Sequence, residues 1–319
     1  LSDHLISELR SAIGTAIRHV TGTRAEVAEI EDWGCGALNA CFKVTTTTGD
    51  RFFLKMENEG IIPTTRRGQA AREVEGLRLM RAAGINVPAT LHAETTGQEL
   101  KRPYVILEFI DADLLWVIKD TLTPEDNARL RDEITVVMTR MNAITNPLFG
   151  DLYVGGVIGQ HATWGQASMA MADLLLDDCG GLGLFTPEEE RLVREALTVA
   201  ASQCSVGTAA SLCHGDLGKH NVLADRMDGL VHVGTIIDLG NAMWLPSYMN
   251  EDGMRRFGGW DLEPVDVCAR DGLSQREYAA DSLVLSLEGV AFWGMLSRHW
   301  NKDPREHIDR FLNECRALL

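Results

Sequence analysis

No uncharged apolar run in this 319-residue chain reaches the length needed to cross a membrane. The most hydrophobic late stretch, Ser282 to Trp300, is interrupted by Glu288 and Arg298 and is expected to be a buried helix. A secretory cleavage pattern is also missing. Leu5, Ile6, Leu9, Ile13, Ile17 and Val20 have helical spacing and predict a packing helix, not a leader. The chain opens on Leu1 and not on methionine, as expected of a processed or trimmed polypeptide. Cysteine is present without a pattern. Cys35, Cys41, Cys179, Cys204, Cys213, Cys268 and Cys315 are odd in number, and none forms a CxxC pair or a zinc-like spacing with histidine. Buried, reduced thiols in a cytoplasmic protein are the expectation, Cys213 beside His214 included. Internal repeats and low-complexity tracts are absent.

A basic excess is lacking as well. The net charge is −16, and residues 1–110 carry 13 Lys/Arg against 14 Asp/Glu, whereas residues 111–319 carry 17 against 32. Such a balance argues against a nucleic-acid partner, which needs a basic face for phosphates. The acidic second part has two readings. It attracts a cationic substrate, or it is a solvated surface whose acids serve helix starts such as Thr186-Pro187-Glu188-Glu189-Glu190. An apolar fraction of 45% with 24% charged residues is ordinary for a folded chain able to bury a core and divide into two lobes.

After the first helix the sequence alternates in strand fashion. Ala25 to Ile30 leads through a Trp33-Gly34-Cys35-Gly36 loop to Ala40–Thr46, then a Thr48-Gly49-Asp50 turn and Phe52–Met56. Arg66 to Ala83 predicts a helix closed by Gly84, with Pro88 beyond. Ala89–Glu94 and Tyr104–Phe109 predict two more strands around a Thr96-Gly97 turn. Beyond Asp111 the pattern is helical apart from one hairpin. The expected fold is α+β: an N-terminal antiparallel sheet with one inserted helix over residues 1–110, then a mostly helical lobe over 111–319.

That hairpin carries the most informative residues. The segment His214-Gly215-Asp216 is followed by Asn221 at +5, and Asp238 closes the return strand. Asn221 to Ala224 reads as a strand, Asp228-Gly229 as a turn and Leu230 to Ile237 as the returning strand. A hairpin brings its outer ends together, so Asn221 and Asp238 are expected side by side with Asp216 just upstream. Asp216 is a candidate base, and Asn221 and Asp238 are candidate metal ligands whose hard oxygens suit Mg²⁺ better than zinc. His214 is expected to be structural.

Lys55 sits between apolar neighbours in a predicted strand, where it faces either solvent or a phosphate-holding cleft. A buried cation requires a partner, and Glu73 and Glu75 compete for it. At 100° per residue Glu73 shares the stripe of Ala70, Leu77 and Met80, while Glu75 falls on nearly the opposite side. A Lys55–Glu73 pair is therefore expected. Gly34 and Gly36 make a Gly-x-Gly turn that lets backbone amides approach phosphate oxygens, although most such turns are plain turns. Glu108 and Ile110, at the end of the Tyr104 strand, supply the peptide groups expected to read an adenine or a guanine.

In this order, Lys55, Glu73, the strand ending at Ile110, the HGDLGKHN loop and IIDLG resemble the aminoglycoside phosphotransferase and choline kinase-like family of small-molecule kinases. Phe149-Gly150-Asp151-Leu152-Tyr153, Thr163-Trp164 and Asn241-Ala242-Met243-Trp244 resemble the branch acting on natural products and other small metabolites. The resemblance covers most of the chain and implies a protein kinase-like two-lobe fold. It further implies that Asp216 orients and deprotonates an acceptor hydroxyl, that Asn221 and Asp238 hold Mg²⁺, and that Lys55, fixed by Glu73, contacts the phosphates of ATP or GTP. An antibiotic, an amino sugar or another hydroxylated metabolite is the implied acceptor. A catalytically inactive binding protein and a protein kinase are the competing readings. The first would lack one of Lys55, Asp216, Asn221 and Asp238, all of which are present. The second expects Arg-Asp in place of Gly215-Asp216 and an APE-like run after IIDLG. Departures from the family pattern are Gly218 two positions after Asp216, Lys219 beside it, Leu245-Pro246-Ser247 after the metal aspartate, and a long Tyr248–Asp266 loop. Glu251, Asp252, Asp261 and Glu263 in that loop are either candidate substrate residues or acids that solvate a surface loop.

Overall fold

The structure is a computed structural model. It describes residues 26–34, 39–58, 62–99, 101–204, 209–250, 259–260, 268, 271–300 and 303–319, together with Arg10, Ile13, Gly14, Ile17, Arg18 and Val20. Packing groups the chain into two compact units. The first comprises Leu1–Gly60, Gly68–Val137 and Asp216–Asn241, and the second comprises Ile61–Arg67, Met138–Gly215 and Ala242–Leu319. Segments 111–137 and 216–241, which chain order alone puts beyond a boundary at 110/111, fall in the same unit as the N-terminal sheet.

The first unit is built on five antiparallel strands: β1 (Val27–Asp32), β2 (Asn39–Thr46), β3 (Arg51–Glu57), β4 (Thr90–Glu94) and β5 (Tyr104–Glu108). Their spatial order is β1-β2-β3-β5-β4. Alternation divides the sheet into two faces. Phe42, Val44, Phe52, Leu54, Met56, Tyr104 and Ile106 form one face, on which Ile13 and Ile17 are fully buried. Cys41, Lys55 and Val105 lie in one cross-strand row on the opposite face. Helix α1 (Gln69–Ala82) follows β3 and buries Ala70, Glu73, Leu77 and Met80. It starts later than the expected Arg66, because Thr64–Arg66 forms a separate 3₁₀ turn and Gly68, with φ of 79°, breaks the path.

After β5 come the short α2 (Leu115–Ile118) and then α3 (Pro124–Asn142). The expected hairpin is present. With strands numbered along the chain, it consists of β10 (Val222–Met227) and β11 (Leu230–Ile236). Asp228 and Gly229 both have positive φ, 53° and 80°, as a two-residue turn between right-twisted strands demands.

The second unit contains α4 (Trp164–Leu182), α5 (Pro187–Gln203), α6 (Gln275–Trp300) and α7 (Arg305–Leu318). Thr186 and Glu189 close a reciprocal capping box at the start of α5. By length and composition α6 resembles a membrane span. Leu283, Val284, Leu287, Val290 and Ala291 are nevertheless buried within the protein, as expected of a core helix, and the fully buried Asp281 accepts a hydrogen bond from the Tyr248 hydroxyl. The expectation of helices alone beyond 111, apart from one hairpin, needs correction. A small second sheet runs β6 (Thr145–Asn146), β9 (Ala210–Cys213), β12 (Met243–Pro246), β7 (Phe149–Asp151) and β8 (Gln160–His161). Strands of two to four residues carry no readable period, and distant segments complete them. The architecture is α+β, an antiparallel sheet with one inserted helix followed by a mostly helical part.

Candidate active site

The hairpin register places the motif residues. Val222 pairs with Ile236, and the Ile237 amide donates to the Asn221 carbonyl at 3.0 Å, so Asn221 and Asp238 flank the hairpin's open end. Asp238 itself has φ of 64°, a conformation unfavourable for a residue with a Cβ and one that clusters at functional sites. Upstream, Asn221 Nδ2 donates to the Asp216 carbonyl at 2.8 Å and to Asp216 Oδ2 at 3.2 Å. With its nitrogen held there, the Asn221 amide presents its oxygen in the other direction. His220 Nε2 lies 3.1 Å from Asp216 Oδ1. That hydrogen bond raises the imidazole pKa, against the opposing effect of burial.

Lys55 joins the hairpin to the sheet and helix. Its Nζ donates to Glu73 Oε2 at 2.7 Å and to Asp238 Oδ1 at 2.5 Å. Burial works against the charged lysine, but the Asp238 and Glu73 carboxylates outweigh it and hold the ammonium well above the ordinary range. Glu73 is almost completely buried, whereas Glu75 points outward and pairs with Arg78 at 2.6 Å. The helical phase of α1 thus selects Glu73, as expected.

Several residues that sequence reasoning passed over complete the arrangement. Gln69, one turn before Glu73, accepts from Asn39 Nδ2 at 2.6 Å and donates to Asn241 Oδ1 at 3.2 Å. The phase argument that selects Glu73 also puts Gln69 on the inward face. The Glu57 carboxylate accepts the Ala70 amide at 2.7 Å and so caps α1 at its positive end. Burial raises the Glu57 pKa against that hydrogen bonding. Gly76 forms a notch: a Cβ there would lie 2.8 Å from Leu239 Cδ2 and 2.9 Å from Leu239 Cβ. The absent side chain lets the Asp238-Leu239-Gly240 turn seat directly on α1.

Other expected positions are placed less directly. The Gly34 amide donates to Asp32 Oδ1 at 2.9 Å, and Gly36 lies outside the described residues. The Glu108 amide donates to the Ala89 carbonyl at 2.9 Å, and the Ile110 carbonyl accepts from Ala112 at 3.1 Å. Lys219 turns its Nζ to Asn127 Oδ1 at 3.2 Å. His214 is fully buried, and Asn250 Oδ1 accepts from its amide at 3.0 Å. Glu251, Asp252, Asp261 and Glu263 lie outside the described residues.

A family model described as APH, the phosphotransferase enzyme family, matches residues 30–248. The chain belongs to that family. The match spans every residue of the Lys55–Asp238 cluster. No curated protein sequence matches the chain significantly. Solved structures share the fold of this phosphotransferase-family chain. A provisionally assigned fructosamine-3-kinase from Thermobifida fusca YX-ER1 is 19% identical with a TM-score of 0.60, covering 96% of this chain and 98% of its own. The GDP and kanamycin complex of an aminoglycoside phosphotransferase, APH(2″)-IIIa, is 14% identical with a TM-score of 0.56, covering 95% and 97%. The gentamicin complex of APH(2″)-IIa is 12% identical with a TM-score of 0.57, covering 99% and 96%. At these identities the likeness is one of fold, and that fold is the two-lobe, protein kinase-like one.

Proposed function

We propose that this phosphotransferase-family chain moves the terminal phosphoryl group of ATP or GTP to a hydroxyl of a small, amino-bearing molecule. The observation that carries this reading is the convergence of Lys55, Glu73, Asp216, Asn221 and Asp238 on one hairpin end, one strand and one helix. Phosphoryl transfer asks little covalent chemistry of a protein. It needs an oriented hydroxyl, in-line placement and neutralised phosphate charge.

In this reading Asp216 accepts the acceptor's hydroxyl proton as the oxygen forms its bond to the terminal phosphorus. The phosphorus–oxygen bond to the nucleoside diphosphate breaks, and the diphosphate leaves with the bonding pair. Lys55 offers its charge to the donor phosphates, and Glu73 keeps that charge aimed. The Asp238 carboxylate and the Asn221 amide oxygen are hard donors that fit Mg²⁺. Bound there, Mg²⁺ would neutralise phosphate charge. The Glu108 carbonyl and the Ile110 amide are the peptide groups proposed to meet the base, and the loop holding Gly34 and Gly36 the one proposed to lie over the phosphates.

An amino-bearing acceptor is supported by the acidic balance of residues 111–319 and by the kanamycin and gentamicin complexes of structural relatives. The four acids at 251, 252, 261 and 263 are the proposed contacts. A cytoplasmic location suits a nucleotide-dependent enzyme with thiols and no disulfide pattern. Asp216→Ala tests the reading: transfer should fall about 10²- to 10⁴-fold, the contribution of a positioned base, with nucleotide affinity nearly unchanged. Lost nucleotide affinity with retained turnover would contradict it.

A further inference from the structure

The HGDLGKHN loop holds three residues between Leu217 and Asn221, and the structure gives them different surroundings. Gly218 has no side chain to offer, and its amide and carbonyl are used within the turn, donating to the Asp216 carbonyl and accepting from the Asn221 amide at 2.9 Å each. Lys219 is 5% exposed, and its ammonium donates to Asn127 at the start of α3, which ties the loop to that helix. His220 turns to Asp216, with Nε2 at 3.1 Å from Oδ1. Asn221 holds the other carboxylate oxygen and the backbone carbonyl of the same residue.

The carboxylate is therefore gripped at both oxygens by the residues four and five positions later. Those two hydrogen bonds restrain the torsion about the Asp216 side chain, which is about one third exposed. Each carboxylate oxygen can accept more than one hydrogen bond. One of them can meet an incoming hydroxyl while the ring stays on Oδ1.

We infer that His220 is a positioning residue for the Asp216 carboxylate, acting through the Nε2–H donated to Oδ1. This rests on Asp216 being the base of the proposed phosphotransfer. The role requires a hydrogen-bond donor at that reach and nothing else of the imidazole, so a glutamine, whose terminal nitrogen can stand at the same place, should replace it. Removing the donor loosens the carboxylate, while Lys55 keeps its hydrogen bonds to Glu73 and Asp238.

The test compares His220→Ala, His220→Gln and Asp216→Asn with the unaltered protein, using any acceptor that supports turnover and, in parallel, nucleotide affinity by calorimetry. His220→Ala should lower kcat about 10- to 100-fold, the scale of a misplaced reacting group, with nucleotide Kd and melting temperature unchanged. His220→Gln should recover most of the lost kcat. Equal losses in the Ala and Gln variants would overturn the inference, because the imidazole would then be needed for more than its donor. Unchanged kcat in His220→Ala would overturn it too. Asp216→Asn separates the layers: full turnover there refutes the reading of Asp216 as base, whereas a dead Asp216→Asn beside an unaffected His220→Ala refutes only the positioning role.

Discussion

Lys55 Nζ bridges Glu73 Oε2 at 2.7 Å and Asp238 Oδ1 at 2.5 Å, so one buried cation ties the helix carboxylate to the carboxylate leaving the hairpin. Breaking a buried pair from one side leaves a charge without compensation and costs about 3–5 kcal/mol. Lys55→Met should destabilise the protein on that scale, as measured by urea denaturation. Adding Glu73→Gln should restore part of the loss, because the more deeply buried of the two orphaned carboxylates is then neutral. A double variant as unstable as the sum of the two single ones would show that the pair is not coupled.

The Gly76 notch makes a prediction opposite to helix propensity. Alanine is favoured over glycine in a helix interior by about 1 kcal/mol, yet at Gly76 its Cβ would meet Leu239 at 2.8 Å. Overpacking of this kind costs about 1–3 kcal/mol. Gly76→Ala should therefore be destabilising, and Leu239→Ala in the same chain should relieve much of the loss. Denaturation midpoints of the two single variants and the double variant test this. A stabilised Gly76→Ala would show that the Asp238 turn does not need the notch.

How far these features are legible in sequence depends on their range. The choice of Glu73 over Glu75 follows from the phase of one helix, and the meeting of Asn221 with Asp238 from one Asp-Gly turn. Both are local rules. The first-residue error on α1 arose because Gly68 and the 3₁₀ turn at Thr64–Arg66 interrupt a run of good helix formers. The second sheet was invisible because its strands, such as Thr145–Asn146 and Ala210–Cys213, exist only through partners far away in the chain. Gln69 and His220 are polar residues whose roles appear only when Asn39, Asn241 and Asp216 are set beside them.

The thiols of Cys179, Cys213 and Cys315 should be inert in the native protein. Burial pushes Cys179, Cys213 and Cys315 up to about 12. A thiol raised this far stays protonated, and only the thiolate attacks. Alkylation at about pH 8, followed by peptide mapping, should leave these three unmodified until the protein is unfolded. Rapid native modification of Cys213 would contradict its burial beside His214.

Acid sensitivity should reside partly in the α5–α7 pair. The Arg305 guanidinium, 2.5 Å from Glu189, holds that carboxyl at about 2, below its usual value. A folded pKa lowered in this way contributes stability fully above the unfolded value of about 4.3 and loses it as pH falls toward 2. Arg305→Ala should therefore lower the melting temperature near neutrality, and the gap to the unaltered protein should close between about pH 4 and pH 2. A gap independent of pH would locate the effect of Arg305 elsewhere.

The most direct measurement of the central claim is acceptor-dependent phosphoryl transfer. The purified protein, with Mg²⁺ and either ATP or GTP, is presented with aminoglycosides, amino sugars, macrolides and cyclic peptide antibiotics, and the products are weighed by mass spectrometry. The account predicts that at least one amino-bearing, hydroxylated compound gains the mass of one phosphoryl group, and that Asp216→Asn abolishes the gain. Nucleotide bound and hydrolysed with no acceptor modified across that panel would contradict it.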